Sequence, residues 1–77
     1  MAGTVTACIA LGSNLEDPRE QVRRGFEALA TLPQSRLLAR SRLYRTSPWG
    51  ITEQPDFINA AARLETSLTP RALLDAL

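Results

Sequence analysis

An α+β fold with the element order β-α-β-β-α is what this 77-residue sequence predicts, and three observations carry it. Apolar residues alternate with small or polar ones over residues 4–11, 36–45 and 56–66, as in strands with one face toward a core. A helix start, Asp17-Pro18 with Glu20, stands between the first and second stretches. A second helix start, Thr69-Pro70, follows the third.

In the first strand, Val5, Ala7, Ile9 and Leu11 share one face, and Thr6, Cys8 and Ala10 keep the other small. So little polarity on either face predicts a central strand. Gly12, Ser13 and Asn14 end it. In the helix that follows, Asp17 is the N-cap and Pro18 the first helical residue. Val22, Phe26 and Leu29 recur at helical spacing and predict the buried stripe. Gly25 lies on the same side, where it costs about 1 kcal/mol in helix propensity relative to Ala but lets a neighbour approach closely. Pro33 closes the element.

The second strand is expected over Arg36–Arg45, with Leu37, Ala39, Ser41 and Leu43 inward and Arg40, Arg42 and Tyr44 outward. The third runs over Asp56–Thr66, with Ile58, Ala60, Ala62 and Leu64 inward and Phe57, Asn59, Arg63 and Glu65 outward. Leu73, Leu74 and Leu77 form the apolar stripe of the last helix. That helix has no C-terminal cap or basic last turn before Leu77 and reads as an element cut through its middle. The order is the ferredoxin-like split β-α-β pattern with the final part of the fold missing. A right-handed crossover between the first two strands leaves room for the third between them. Both helices are expected on one sheet face. The other stays open, with Phe57, Asn59, Arg40, Arg42 and Tyr44 looking out.

Composition narrows the function classes. The chain is 44% hydrophobic and 22% charged, which is globular composition, and it has room for one domain. Its net charge of +1 supplies no field to recruit nucleic acid or an acidic membrane. Every basic residue is Arg, and there is no His. A P-loop or Schiff-base lysine, a histidine base and a histidine metal ligand are therefore excluded. The single cysteine, Cys8, excludes an internal disulfide and fits a reduced, cytoplasmic setting. No apolar run approaches the roughly 18 residues of a membrane span.

The stretch "YRTSPWGITEQPDFINAA", residues 44–61, holds the end of the second strand, the start of the third and about ten residues between them, a connection far longer than the two to five or so residues that usually close a hairpin. Phe57 and Asn59 point to the same side of their strand. Together they suit a flat heterocycle, stacked on the ring and read at its edge by the carboxamide. Trp49 would be a lid side chain, and the backbone of Thr46–Trp49 would offer further donors and acceptors. The same residues also admit packing alone: Phe57 and Asn59 as a strand-and-turn contact, Trp49 as cover for a core edge. Gly12-Ser13-Asn14 reads as a strand-end turn stabilised by the Asn side chain rather than as a phosphate nest, whose glycine motifs it lacks. Arg40, Arg42 and Arg45 read as a solvated strand face or an anion contact. Glu16 and Asp17 sit at a helix start, where carboxylates are favoured, and form no metal pair.

Three segments, "IALGSNL" (9–15), "YRTSPWG" with "QPDFINAA" (44–50 and 54–61) and "LETSLTPRALL" (64–74), resemble the N-terminal half of the 6-hydroxymethyl-7,8-dihydropterin pyrophosphokinases. The resemblance covers nearly the whole chain. It implies a single incomplete domain over residues 1–77, from an enzyme that moves pyrophosphate from ATP to the pterin in folate biosynthesis with two magnesium ions. It implies a pterin pocket that includes Thr46, Ser47, Trp49, Phe57 and Asn59, with Gly12 and Asn14 shaping the loops. Family members often carry Tyr at Phe57, and Pro and a smaller aliphatic residue at Ser47 and Trp49; stacking and backbone contacts tolerate those changes. The family's magnesium aspartates, ATP-gripping arginines and histidine lie beyond Leu77, so the chain alone is expected to be inactive. Two rivals remain: a non-catalytic pterin- or nucleobase-binding module, and a ferredoxin-like domain that self-associates through an exposed strand edge. An RNA-binding sheet would need more aromatic and basic residues on the open face.

Overall fold

The structure is a computed structural model that describes residues 3–48 and 54–77. Its elements are β1 (Val5–Ser13), α1 (Pro18–Ala30), β2 (Ser35–Arg40), β3 (Tyr44–Thr46), β4 (Phe57–Thr66) and α2 (Pro70–Ala76). The sheet is antiparallel in the order β1-β4-β2, and β3 also pairs with β4. The last strand thus lies between the first two, as the split β-α-β order requires, and the architecture is α+β and ferredoxin-like.

β4 is the centre of the sheet. Its even-numbered residues Ile58, Ala60, Ala62, Leu64 and Thr66 are all buried, and its odd-numbered residues face the other way. α1 lays Val22, Phe26 and Leu29 on that buried face, and Ile9, Leu11, Leu32 and Leu37 complete the core. The helix starts where the capping signal put it: the Asp17 carboxylate accepts a hydrogen bond from the Glu20 backbone N–H at 3.3 Å, with Pro18 in the first turn. A Cβ at Gly25 would meet the tip of the Leu11 side chain, so glycine brings the helix close to β1 at this point. The one buried polar side chain among the described residues, Thr66, is satisfied by the Ser35 hydroxyl at 2.7 Å and by the Leu68 N–H at 3.0 Å.

Three expectations need correction. The strand expected over Arg36–Arg45 is two strands. Its register against β4 slips between Leu37 and Ala39: Leu37 faces Leu64, Ala39 faces Arg63, and Arg40 faces Ala62. Leu38 is the extra residue, 41% exposed. Two adjacent leucines compete for one core position, and a strict period of two cannot say which one holds it. The slip reverses every side chain after it. Ala39 turns to the open face. Arg40 turns to the helix side, its guanidinium 5.5 Å from the Phe26 ring centroid, a cation–π contact of about 0.5–1 kcal/mol at such a site. Arg42 lines a hollow of about 220 Å³ beside the same Phe26. Ser41 bridges the interruption: its N–H donates to the Ala61 carbonyl, and its hydroxyl oxygen accepts from the Ala61 N–H, each at 2.8 Å. A second extra residue before Tyr44 restores the phase, so Tyr44 pairs with Asn59 on the open face and Arg45 with Ile58 on the helix face. Arg40, Arg42 and Arg45, all exposed, therefore lie on the helix side of the sheet and not on its open face.

The second correction concerns β1. It is an edge strand among the described residues, bonded to β4 over nine residue pairs from Val5↔Thr66 to Ser13↔Ile58. The third concerns α2. Thr69 caps it as expected, its hydroxyl oxygen accepting from the Ala72 N–H at 3.1 Å. The helix nevertheless buries no residue, and Leu74 and Leu77 stay 68% and 59% exposed. At its end, Ala76 and the C-cap Leu77 line an apolar hollow of about 340 Å³ on the helix side of the sheet with Ile9, Leu11 and Leu29.

Candidate functional site

The open face of the sheet collects the polar residues at one end. β4 enters that end with Phe57 and Asn59, both half-buried and both pointing away from α1. Register then fixes their neighbours. Thr46 lies opposite Phe57 and Tyr44 opposite Asn59 on β3. Gly12 lies opposite Asn59 on β1. Asn59 is therefore flanked on both sides, and its carboxamide N–H donates to the Thr46 hydroxyl oxygen at 2.6 Å. That bond joins the central strand to the entrance of the long loop.

The loop spans residues 47–56 and is closed at its base by the Thr46↔Phe57 pair. Its far end is held from another direction. The Asn14 carboxamide, just past β1, donates to the Pro55 carbonyl at 3.4 Å. The two loops that leave the sheet at this end are thus linked by a side chain. Ser47 is exposed at the loop entrance and Pro48 is half-buried. Trp49, expected as a lid, lies outside the described residues.

Six of the seven residues singled out in the sequence can be placed. Gly12, Thr46, Phe57 and Asn59 meet in one patch. Ser47 adjoins it through Thr46, and Asn14 reaches it through Pro55. Tyr44, 57% exposed, belongs to the same patch by register and was named in the sequence only as an outward residue. Counting outward from the closed loop base, Thr46 against Phe57, would have placed Tyr44 beside Asn59.

Chemically the patch offers a flat ring, a phenol, a hydroxyl and a carboxamide; the carboxylate of this sheet face, Glu65, lies toward the other end of β4, beside Arg36. The patch suits an uncharged, planar ligand with a hydrogen-bonding edge better than a cation. The apolar hollow near α2 lies on the opposite side of the sheet and has no polar side chain to orient such a ligand. The one strongly shifted carboxylate is also remote. Glu20 on α1 is pulled from 4.5 down to about 2, mainly by its hydrogen bonds with Arg23, which also pairs with Glu27. This is an exposed helical ion-pair network and part of no site. Among the described residues, no group of three His, Cys, Asp or Glu side chains could hold a metal ion.

The 2-amino-4-hydroxy-6-hydroxymethyldihydropteridine pyrophosphokinase of Pseudomonas aeruginosa is 51% identical over 69 residues, which are 90% of this chain and 43% of that protein. The enzyme of the same name from Haemophilus influenzae is 45% identical over 73 residues, 95% of this chain and 46% of that protein. The folic acid synthesis protein fol1 of Schizosaccharomyces pombe is 36% identical over 70 residues, 91% of this chain and 10% of that protein. The chain thus spans less than half the length of the two bacterial relatives. The family described as 7,8-dihydro-6-hydroxymethylpterin-pyrophosphokinase matches over residues 8–77, nearly the whole chain, and the chain belongs to that family.

Proposed function

We propose that this chain is the pterin-positioning part of an enzyme that transfers pyrophosphate from ATP to 6-hydroxymethyl-7,8-dihydropterin in folate biosynthesis. The observation that carries the proposal is the pair Phe57 and Asn59 on the open face of the central strand, with Asn59 bonded to Thr46 at the mouth of the long loop. Phe57 stacks on the pterin ring, and Asn59 reads its edge. Thr46, Ser47 and Trp49 complete the pocket from the loop, largely through backbone groups. Gly12 and Asn14 shape it, Asn14 by tying the first loop to Pro55 of the second.

Pyrophosphoryl transfer depends chiefly on positioning and on neutralising phosphate charge. This chain's residues serve the first need. A magnesium site does not fit the described residues, because they bring no set of carboxylates together. The charge-neutralising groups and the grip on ATP therefore belong, in this proposal, to chain outside these 77 residues. We place the reaction in the cytoplasm, in keeping with an exposed, unpaired Cys8. Among the described residues, no helix is long and apolar enough to cross a membrane.

Titration with 6-hydroxymethylpterin, followed by calorimetry, tests the site. Stacking on an aromatic side chain contributes about 1–3 kcal/mol, so Phe57→Ala should weaken binding by roughly 5- to 150-fold, and Phe57→Tyr should restore it. Equal affinity in the native chain and Phe57→Ala would remove Phe57 from the site. The 77-residue chain should not turn over ATP and the pterin. Measured pyrophosphoryl transfer by the chain alone would contradict the division of labour.

A further inference from the structure

We propose that Gly12 is a positioning residue: its missing side chain is the space in which the Asn59 carboxamide lies, and it thereby fixes the hydrogen-bonding pattern that the site presents to a ligand. The ligand's identity rests on the pterin assignment above; the steric part does not.

Glycine inside a strand weakens it and calls for a reason. Gly12 is in β1, directly opposite Asn59 of β4. Its backbone does not adopt the positive φ that would demand glycine. A Cβ at this position would lie 2.8 Å from the Asn59 Oδ1, closer than real Cβ atoms come to an oxygen. The next atom, the Ile58 carbonyl oxygen, would be at 3.9 Å, an ordinary contact. The Asn59 side chain is thus the one close obstacle. The glycine is needed for what crosses it.

The carboxamide is held from both ends. Its oxygen lies over the bare Cα of Gly12, and its nitrogen donates one N–H to Thr46 at 2.6 Å. A carboxamide has two N–H donors and one acceptor oxygen. One N–H and the oxygen then remain for a ligand. Their complement is a heterocycle that offers an acceptor to the N–H and a donor to the oxygen. Any side chain at position 12 would force the carboxamide to rotate, break the bond to Thr46 and scramble that pattern.

The test has two readouts. In the ligand-free chain, nuclear Overhauser contacts between the Asn59 side-chain amide and Thr46 should be present, and Gly12→Ala should abolish them while the β1–β4 cross-strand contacts persist. With 6-hydroxymethylpterin as probe, Gly12→Ala should weaken binding about tenfold, the scale of one well-placed hydrogen bond. Asn59→Ala should do about the same, and Gly12→Ala with Asn59→Ala should bind no worse than Asn59→Ala alone. Retained contacts in Gly12→Ala, or losses that multiply in the double variant, would overturn the proposal. If the native chain does not bind the pterin, the pterin assignment fails, and the Asn59–Thr46 contacts still decide the role of Gly12. If Gly12→Ala does not fold, removing the obstacle should recover folding in the double variant; no recovery would count against the proposal.

Discussion

Among the described residues, two glycines sit against side chains, and physics predicts opposite outcomes for them. At Gly12 the neighbour is a carboxamide held at a fixed angle by Thr46. At Gly25 the neighbour is the tip of Leu11, which borders the hollow of about 340 Å³ that Gly25 also lines. Leu11 has room to turn away. Replacing Gly25 by Ala adds about 1 kcal/mol of helix propensity, so Gly25→Ala should leave the thermal midpoint unchanged or raise it. A midpoint several degrees lower would mean that the α1–β1 contact cannot yield. Leu64 is the opposite extreme. It is 0% exposed at the centre of β4, and Leu64→Ala should cost about 2–5 kcal/mol by cavity formation, enough to unfold a domain this small. Denaturant titration reads that loss directly.

Among the elements, the two helices have the same kind of start and different weight in the fold. Asp17 caps α1, which carries Val22, Phe26 and Leu29 into the core, so Asp17→Ala should lower global stability by about 1 kcal/mol. Thr69 caps α2, which buries nothing, so Thr69→Ala should reduce helical signal and leave the global unfolding midpoint unchanged. Comparison of far-ultraviolet circular dichroism with tryptophan-independent denaturant curves separates the two. The Glu20 network adds a pH dependence of known sign. Its folded-state value of about 2 lies below the ordinary 4.5, so its contribution is present above pH 4.5 and lost as pH falls toward 2. The pair is exposed to water, so the effect is small. Glu20→Gln should flatten that part of the stability curve; an identical curve would show that the network contributes nothing.

For the whole molecule the open question is the free edge of β1. Nine residues, VTACIALGS, run there without a charge, a proline or a register slip. Natural sheets protect such edges, and an unprotected one invites another strand. The 77-residue chain should therefore associate with itself as concentration rises, and a lysine placed at Thr6 should suppress this. Light scattering that shows a monomer at all concentrations would argue against edge pairing. In a longer protein, the same edge and the adjacent apolar hollow are open to chain from outside these residues.

The local signals of this chain are legible without coordinates because each is set by residues a few positions apart. Asp17-Pro18 and Thr69-Pro70 mark helix starts through neighbouring backbone N–H groups. The even-odd division of β4 follows from strand geometry alone, and it placed Ile58 in the core and Phe57 and Asn59 outside it. The family motifs named Gly12, Thr46, Phe57 and Asn59 for a related reason: each motif is a run of neighbouring residues. Tertiary structure decided the rest. The slip at Leu38 depends on which leucine meets Leu64, and only pairing with β4 settles that; it moved Arg40 from the open face to the ring of Phe26. The meeting of Gly12, Tyr44, Thr46 and Asn59 depends on the register of three strands, which a single strand does not encode. Whether α2 covers the sheet depends on surface that its own leucines cannot supply.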